Sequence, residues 1–453
     1  MRLTPEKLRP PPGFLDIVRS LVDSGHEAWA VGGAIRDACE ESLVGARPAA
    51  AGPPTVDWDV ATDARPDQVQ SLFRRTVPIG IDHGTVGVFG PDEILYEVTT
   101  FRRDIETDGR HARVTFADTI DEDLGRRDFT INALAWHPDT HELRDPFDGV
   151  GDLRNGVLRA VGDPTDRFEE DYLRVLRGLR FAGRLDLEIE PATRHALRGA
   201  VAGLPGLSAE RVREELMKVL GDPTPSSALD LYRECGVLQY WYPELLEPAG
   251  SRTSWRVNLA AVDAVTRTRP LVRLARLLAP MADDRDERGE LAERILSRLR
   301  FSNAERRRVV GLVAEYLPFV SPLDSTAQVR RWLSTVGHVW RDLFRLHTAA
   351  ARASPEASAY LCAAWRHVHD TVLTHPPLTM AALAVDGGDI LDLGVPPGPL
   401  VGLVLEELLE QVLEDPDANE RAGLLGEARR LVDLGALAGG GSDPDGSSGA
   451  VWP

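Results

Sequence analysis

Short apolar runs, broken every few residues by glycine, proline or aspartate, fill the first 160 or so positions of this 453-residue chain. Residues 28–33 (AWAVGG), 56–62 (VDWDVAT), 84–90 (GTVGVFG), 94–101 (ILYEVTTF) and 129–137 (FTINALAWH) are apolar, β-branched and punctuated by turn residues, and predict strands. Between them, 65–75 carries helical spacing, and Pro66 suits a first helical turn. After about residue 165 the period changes to 3.6, predicting helices over 167–184, 191–202, 208–220, 225–236, 291–300, 303–315, 399–414 and 419–435. The pattern therefore predicts an α+β protein, with a mixed sheet and its helices first and an all-helical remainder after it.

Composition narrows the class. No apolar run approaches the 18 or so residues of a membrane span, and the proline-rich start MRLTPEKLRPPPGFLDIV lacks the apolar core of a signal peptide. Three scattered cysteines, Cys39, Cys235 and Cys362, give neither a disulfide framework nor a zinc pattern, so a reducing cytoplasm is expected. The net charge of −19 argues against a polyanionic partner. Its distribution reverses that. Lysine occurs only at Lys7 and Lys218, while DRFEEDYLRVLRGLRFAGR (166–184) gathers Arg167, Arg174, Arg177, Arg180 and Arg184. One basic stripe on an acidic protein can hold a polyanion there. Two segments, GARPAAAGPP (45–54) and the C-terminal AGGGSDPDGSSGAVWP, read as flexible.

Two motifs carry chemistry. In VGGAIRD (31–37) a strand enters Gly32 and Gly33, whose backbone N–H groups can approach an anion closely, and Arg36 can hold a phosphate oxygen. In VDWD, Asp57 and Asp59 alternate, so on a strand both carboxylates share a face. A solvated strand face explains that spacing as well, until the glycine turn is set beside it. Magnesium binds through a few carboxylates plus phosphate oxygens and water. The pair therefore suits a nucleoside triphosphate attacked at its α-phosphate, with paired metals activating the hydroxyl and stabilising pyrophosphate. Glu97, in ILYEVTTF, is a candidate third carboxylate or a surface strand residue. Asp171, Arg174, Arg177 and Arg180 recur every third residue along one predicted helix, either as intrahelical ion pairs or as ligands for a substrate.

The ordered series VGGAIRD, DWD, GIDHGTVGV, YEVTTFRRD, RRDFTINAL, RFEEDYLRVLRGLRF and LSAERVREELMKVL resembles the class II tRNA nucleotidyltransferases, the family of CCA-adding enzymes and bacterial poly(A) polymerases. The likeness covers roughly 28–220 and continues more weakly over 383–425, whereas 250–380 carries no motif. It implies a polymerase-β-like nucleotidyltransferase head over 1–155. A neck with a base-selecting helix would follow over 156–220, a helical body over 221–320 and a helical tail over 321–437, with 438–453 disordered. By the same resemblance, Gly33 and Arg36 bind nucleotide and Asp57 and Asp59 hold the metal. Arg127 contacts ribose and triphosphate, with Asp128 beside it. Asp171 and Arg174 act as a protein template, and Arg177 and Arg180 meet phosphates.

The implied template has a physical logic. Cytosine and adenine both set an exocyclic amino donor beside a ring-nitrogen acceptor, matching a carboxylate and a guanidinium, whereas uracil and guanine invert the order. The expected function is addition of C and A to the tRNA 3′ end, with Mg²⁺ as cofactor, CTP, ATP and the tRNA acceptor arm as partners, and no obligate protein partner. Segment 101–116 is shorter than the matching flexible loop of relatives, which keeps a CC-only enzyme as an alternative beside a poly(A) polymerase and a catalytically silent RNA-binding protein. The histidines of RHVHDTVLTH (366–375) diverge on a helix and predict no metal site, His83 reads as a turn residue, and 271–284 lacks a His-Asp phosphohydrolase pair.

Overall fold

A computed structural model of the chain describes residues 8–41, 58–81, 84–107, 112–246, 254–282, 284–316, 325–353 and 358–433. Asp57, His83 and the segments 45–54 and 438–453 lie outside the described residues. The chain divides into two compact units, Met1–Val313 and Ala314–Pro453.

The first unit opens on α1 (Pro12–Asp23), which starts on proline and buries Phe14, Ile17, Val18 and Leu21 along one stripe. A seven-stranded mixed sheet follows: β1 (Ala28–Val31), β2 (Asp59–Thr62), β3 (Thr76–Gly80), β4 (Thr85–Phe89), β5 (Leu95–Thr100), β8 (Ala135–Trp136) and β9 (Leu143–Arg144), in the order β3-β4-β5-β2-β1-β8-β9. The interior strand β1 is buried on both faces, as the uninterrupted AWAV run requires. It pairs antiparallel with β2, bringing Val31 opposite Asp59, and β2 pairs parallel with β5, Val60 beside Val98. A separate hairpin, β6 (Arg102–Thr107) and β7 (Ala112–Phe116), leaves the end of β5. Short helices α2 (Gly33–Cys39), α3 (Pro66–Leu72), α4 (Ile120–Gly125) and α5 (Gly149–Asn155) connect the strands.

Two expectations need correction. The run 129–137 is not one strand, because Thr130–Asn132 forms a 3₁₀ turn and only Ala135–Trp136 joins the sheet. The stretch 167–184 is not one helix: α6 (Pro164–Glu170) stops at Asp171, whose backbone is extended, and α7 (Leu173–Leu185) begins afresh. The cause is local. The Asp171 carboxylate accepts the Leu173 N–H at 3.0 Å, a turn that competes with the helical bond at that position.

β10 (Val157–Leu158), before α6, pairs parallel with β11 (Glu188–Ile189), after α7, and helices α8 (Pro191–Ala200), α9 (Ala209–Gly221) and α10 (Pro225–Glu234) follow. The sheet region and these helices share a core in which Phe129 packs on Phe168 and Phe181, ring centroids 6.4 and 6.1 Å apart. Then α11 (Leu238–Trp241), α12 (Trp255–Ala264), α13 (Pro270–Leu278), α14 (Arg285–Arg298) and α15 (Asn303–Ala314) complete the run. Arg273 of α13, 2% exposed, ties α9 to this region. It donates to the carbonyls of Leu220 at 2.8 Å, in the last turn of α9, and of Asp222 at 2.5 Å, just past it, and to Val265 at 2.8 Å.

The second unit is all-helical, with α16 (Thr326–Val336), α17 (Trp340–Ala353), α18 (Ser358–Leu373), α19 (Gly387–Asp392), α20 (Pro399–Glu414) and α21 (Arg421–Asp433). It has its own apolar cluster, including Ile390, Val404, Leu408, Val412 and Leu424. The fold is thus α+β followed by all-α. Among the described residues no helix is long and apolar enough to cross a membrane. The cysteines lie at three depths: Cys39 is buried in α2, its thiol pushed up to about 12 by burial, Cys235 is half-buried and Cys362 is exposed on α18.

Candidate active site

One cavity of about 830 Å³ gathers every candidate residue that the structure describes: Gly32, Gly33, Arg36, Asp59, Glu97, Arg127, Asp128, Asp171, Arg174, Arg177 and Arg180. Its floor is one face of the sheet, where Val31, Asp59, Ala61, Thr85, Glu97 and Thr99 line it. Alternation puts Asp59 and Ala61 on one face of β2, and Glu97 and Thr99 on one face of β5. Continuing the β2–β5 register by one residue sets Asp59 beside Glu97. Among the described residues no three His, Cys, Asp or Glu side chains group as a metal site, and Asp57 lies outside them. Two carboxylates facing an arginine-rich cavity are nonetheless the hard oxygen donors that Mg²⁺ accepts when phosphate oxygens and water complete its shell.

The glycine turn belongs to the same floor. Gly32 has φ +87°, which a side chain rarely adopts, and a Cβ there would lie 2.9 Å from Asp59 Oδ2. Backbone and carboxylate therefore approach one another only because residue 32 has no side chain. Arg36, one turn on, is 3% exposed. Its Nε and Nη2 donate to Asp37 at 2.8 and 2.6 Å, and Nη1 donates to Asn132 Oδ1 at 2.7 Å. Burial pulls its pKa down while Asp37 opposes that.

The 3₁₀ turn that interrupts 129–137 carries the second wall. Asn132 accepts from Arg36 and donates to Asp128 Oδ1 at 2.9 Å, joining the first motif to RRDFTIN. Asp128 also accepts from its neighbour's Phe129 N–H at 2.8 Å and from Arg177 Nε at 2.8 Å. Burial pushes its carboxyl up, but Arg177 and these hydrogen bonds outweigh that and hold it at about 2. Arg127 and Arg126 share Asp123, at 3.2 and 2.9 Å. Asp123 is raised by burial yet held below its ordinary value by the two guanidinium groups. The buried Nε of Arg127 has no hydrogen-bond partner.

The third wall is the helix pair α7 and α9. Arg174 donates to Glu170, to the Arg167 carbonyl at 2.9 Å and to the Arg126 carbonyl at 3.1 Å, which fixes its plane. Asp171 Oδ2 accepts from Arg211 Nη2 of α9 at 2.7 Å. Arg180 donates to the buried Glu215 at 2.8 Å. The Phe181 ring lies under three guanidinium carbons, those of Arg180 at 4.4 Å, Arg36 at 4.9 Å and Arg177 at 5.4 Å. Asp222, in the same wall, has its carboxyl pushed up to about 6 by burial, against the pull of Arg184 and Arg180.

Asn132, Asp123, Arg211 and Asp222 escaped the sequence reading. Asn132 and Arg211 sat inside quoted motifs, but their partners lie 96 and 40 positions away, and no local spacing announces such pairs. Of the histidines near 366–375, His367 meets Thr326 Oγ1 at 3.3 Å, and His369 sits exposed beside Asp370.

Comparison with known proteins is consistent along the chain. A family profile described as "Poly A polymerase head domain" matches residues 28–159, and one described as "Probable RNA and SrmB- binding site of polymerase A" matches 186–247. The CCA-adding enzyme of Leuconostoc mesenteroides is 34% identical over 429 residues, covering 91% of this chain and 96% of the relative. That of Lactobacillus johnsonii is 31% identical over 421 residues, covering 90% and 95%. The crystal structure of the Bacillus stearothermophilus CCA-adding enzyme in complex with CTP superposes with a TM-score of 0.72 at 28% identity, covering 95% of this chain and 100% of that one.

Proposed function

The chain belongs to the CCA-adding enzyme family, and from that premise we propose that it is a template-independent nucleotidyltransferase that extends the tRNA 3′ end with C and A from CTP and ATP in the cytoplasm. The observation that carries this reading is the single cavity in which sheet carboxylates, a glycine turn and an arginine-bearing helix face one another. In the division of labour that the family resemblance implies, the head over 1–155 holds the triphosphate. The neck over 156–220 reads the base, and the body (221–320) and tail (321–437) hold the tRNA acceptor arm.

The chemistry follows from the residues. The 3′-oxygen of the RNA attacks the α-phosphorus, a new phosphodiester bond forms, the bond to the β-phosphate breaks, and pyrophosphate leaves. Asp59 and Glu97, with Asp57, are the residues to hold Mg²⁺, which when bound lowers the pKa of the attacking hydroxyl and neutralises the leaving pyrophosphate. The Gly32 and Gly33 N–H groups receive phosphate oxygens, and Arg127, which lines the cavity, adds its positive charge. Asp128 keeps Arg177 charged and oriented. Arg174, oriented by two backbone carbonyls, donates to the ring nitrogen, while Asp171 accepts from the amino group of cytosine or adenine. Uracil and guanine would leave buried donors and acceptors unpaired, a strong ground for rejection.

The test is incorporation. Purified protein with Mg²⁺ is offered tRNA lacking CCA and given CTP, ATP or both. The proposal expects two C residues and one A. Arrest after two C residues marks the CC-only enzyme, long A tails mark a poly(A) polymerase, and a folded but inert protein leaves only RNA binding. Asp59→Ala and Asp57→Ala should each lower incorporation by more than about a thousandfold while filter binding of tRNA stays within about twofold.

A further inference from the structure

The sheet face that bears the carboxylates does not end at the cavity. Gly87 of β4 is the cross-strand partner of Glu97 and, on its other side, of Val77 in the edge strand β3. A Cβ on Gly87 would fall 2.5 Å from Ile79 Cδ1 and 3.0 Å from Leu95 Cδ1, so these two side chains close over the glycine on the side that Glu97 faces. Ile79 is 44% exposed, Leu95 41% and Val77 38%. A glycine between two strands thus lets an aliphatic shelf lie flat against the sheet, beginning two residues, about 7 Å, from Glu97. Exposed apolar surface this ordered and this close to a reacting centre calls for an occupant.

The geometry points to the unpaired 3′-terminal bases of the RNA primer as that occupant, stacked on Ile79 and Leu95 while the terminal hydroxyl reaches the carboxylates. This inference rests on the nucleotidyltransferase reading above. The arginine-bearing walls, Arg127, Arg174, Arg177 and Arg180 among them, suit the anionic triphosphate. The shelf side chains themselves carry no charge, matching the flat, uncharged faces of bases rather than their phosphates. The surface is continuous with Glu97, where the primer's last hydroxyl has to sit, and it offers packing without hydrogen-bond readout. It would therefore accept a discriminator base and then C in turn, as sequential extension demands.

Ile79→Ser and Leu95→Ser, both at exposed positions, test it. Primer affinity is read by anisotropy of a 3′-end-proximal label, and KM and kcat by CTP incorporation, using intact primers and primers abasic at the last or next-to-last nucleotide. Each variant should weaken binding of the intact primer and raise its KM roughly tenfold, with KM for CTP unchanged. Against one of the abasic primers that loss should shrink to less than about twofold, because the base that touched the shelf is already gone. Equal losses on intact and both abasic primers, or unchanged primer KM, would overturn the shelf while leaving the enzyme standing. A change in sedimentation instead would assign the strand edge to a second copy of the chain. Wild-type protein that binds the primer through the shelf yet incorporates nothing would overturn the enzymatic reading alone.

Discussion

Asp128 shows how much of the site rests on a few buried charges. It is 7% exposed and answers Arg177 from 49 positions away, so removing its charge strands a guanidinium that few groups replace. Asp128→Asn should cost about 3 kcal/mol, read as a shift of the urea midpoint at neutral pH. Its folded-state carboxyl lies below the ordinary value, so its contribution is complete above about pH 4 and fades as pH falls toward 2. The penalty of Asp128→Asn should therefore shrink over that window, because the wild-type carboxyl is then protonated as well. Gly32→Ala should act differently. An alanine at φ +87° and ψ −154° costs about 1–3 kcal/mol, and its methyl crowds Asp59 Oδ2, so incorporation should fall far more than thermal stability does. Gly32, Arg36, Asp59 and Asp171 were legible as types in a pattern. What Arg36 donates to was not, since Asn132 reaches it only through the fold.

At the scale of elements, periodicity located helices over 191–236, 291–315 and 399–435, left α1, α12, α13, α16 and α17 unread, and misjudged one junction. The apolar spacing runs through 167–184 without a fault, yet the chain breaks at Asp171 because a side-chain bond to Leu173 replaces a backbone one. The break has a geometric consequence: it turns Asp171 out of the helix ridge and toward Arg211 of α9. Asparagine still accepts the Leu173 N–H but loses the charge. Asp171→Asn should leave stability within about 1 kcal/mol and lower the preference for C and A over U by at least about tenfold, measured by competitive incorporation. Asp171→Ala should add the loss of the turn. Unchanged selectivity in both variants would remove the template role. The edge strand β3 and the hairpin β6–β7 went unread for the opposite reason, since Thr76–Gly80 contains a proline, a glycine and an irregular register, and a short strand of that kind has no alternation to detect. Within 254–373 periodicity marked only α14 and α15, and no motif tied a role to the region.

For the whole molecule, the net charge of −19 is a poor guide to what it binds. The cavity alone is lined by Arg36, Arg102, Arg126, Arg127 and the α7 arginines, so the field that a substrate meets is local. RNA binding should accordingly weaken by at least about tenfold between 50 and 200 mM salt, which a titration of affinity against ionic strength reads directly. The three thiols offer a different use of the same architecture. Cys39 lies three residues past Arg36, on the helix that the glycine turn begins, and its proton stays on at any working pH, whereas Cys362 stands in solvent on the other unit. A maleimide should label Cys362 within minutes, and Cys39 only at the rate at which the head transiently opens. The unaltered protein thus supplies both a stopwatch for breathing of its own active centre and the reference against which to read it.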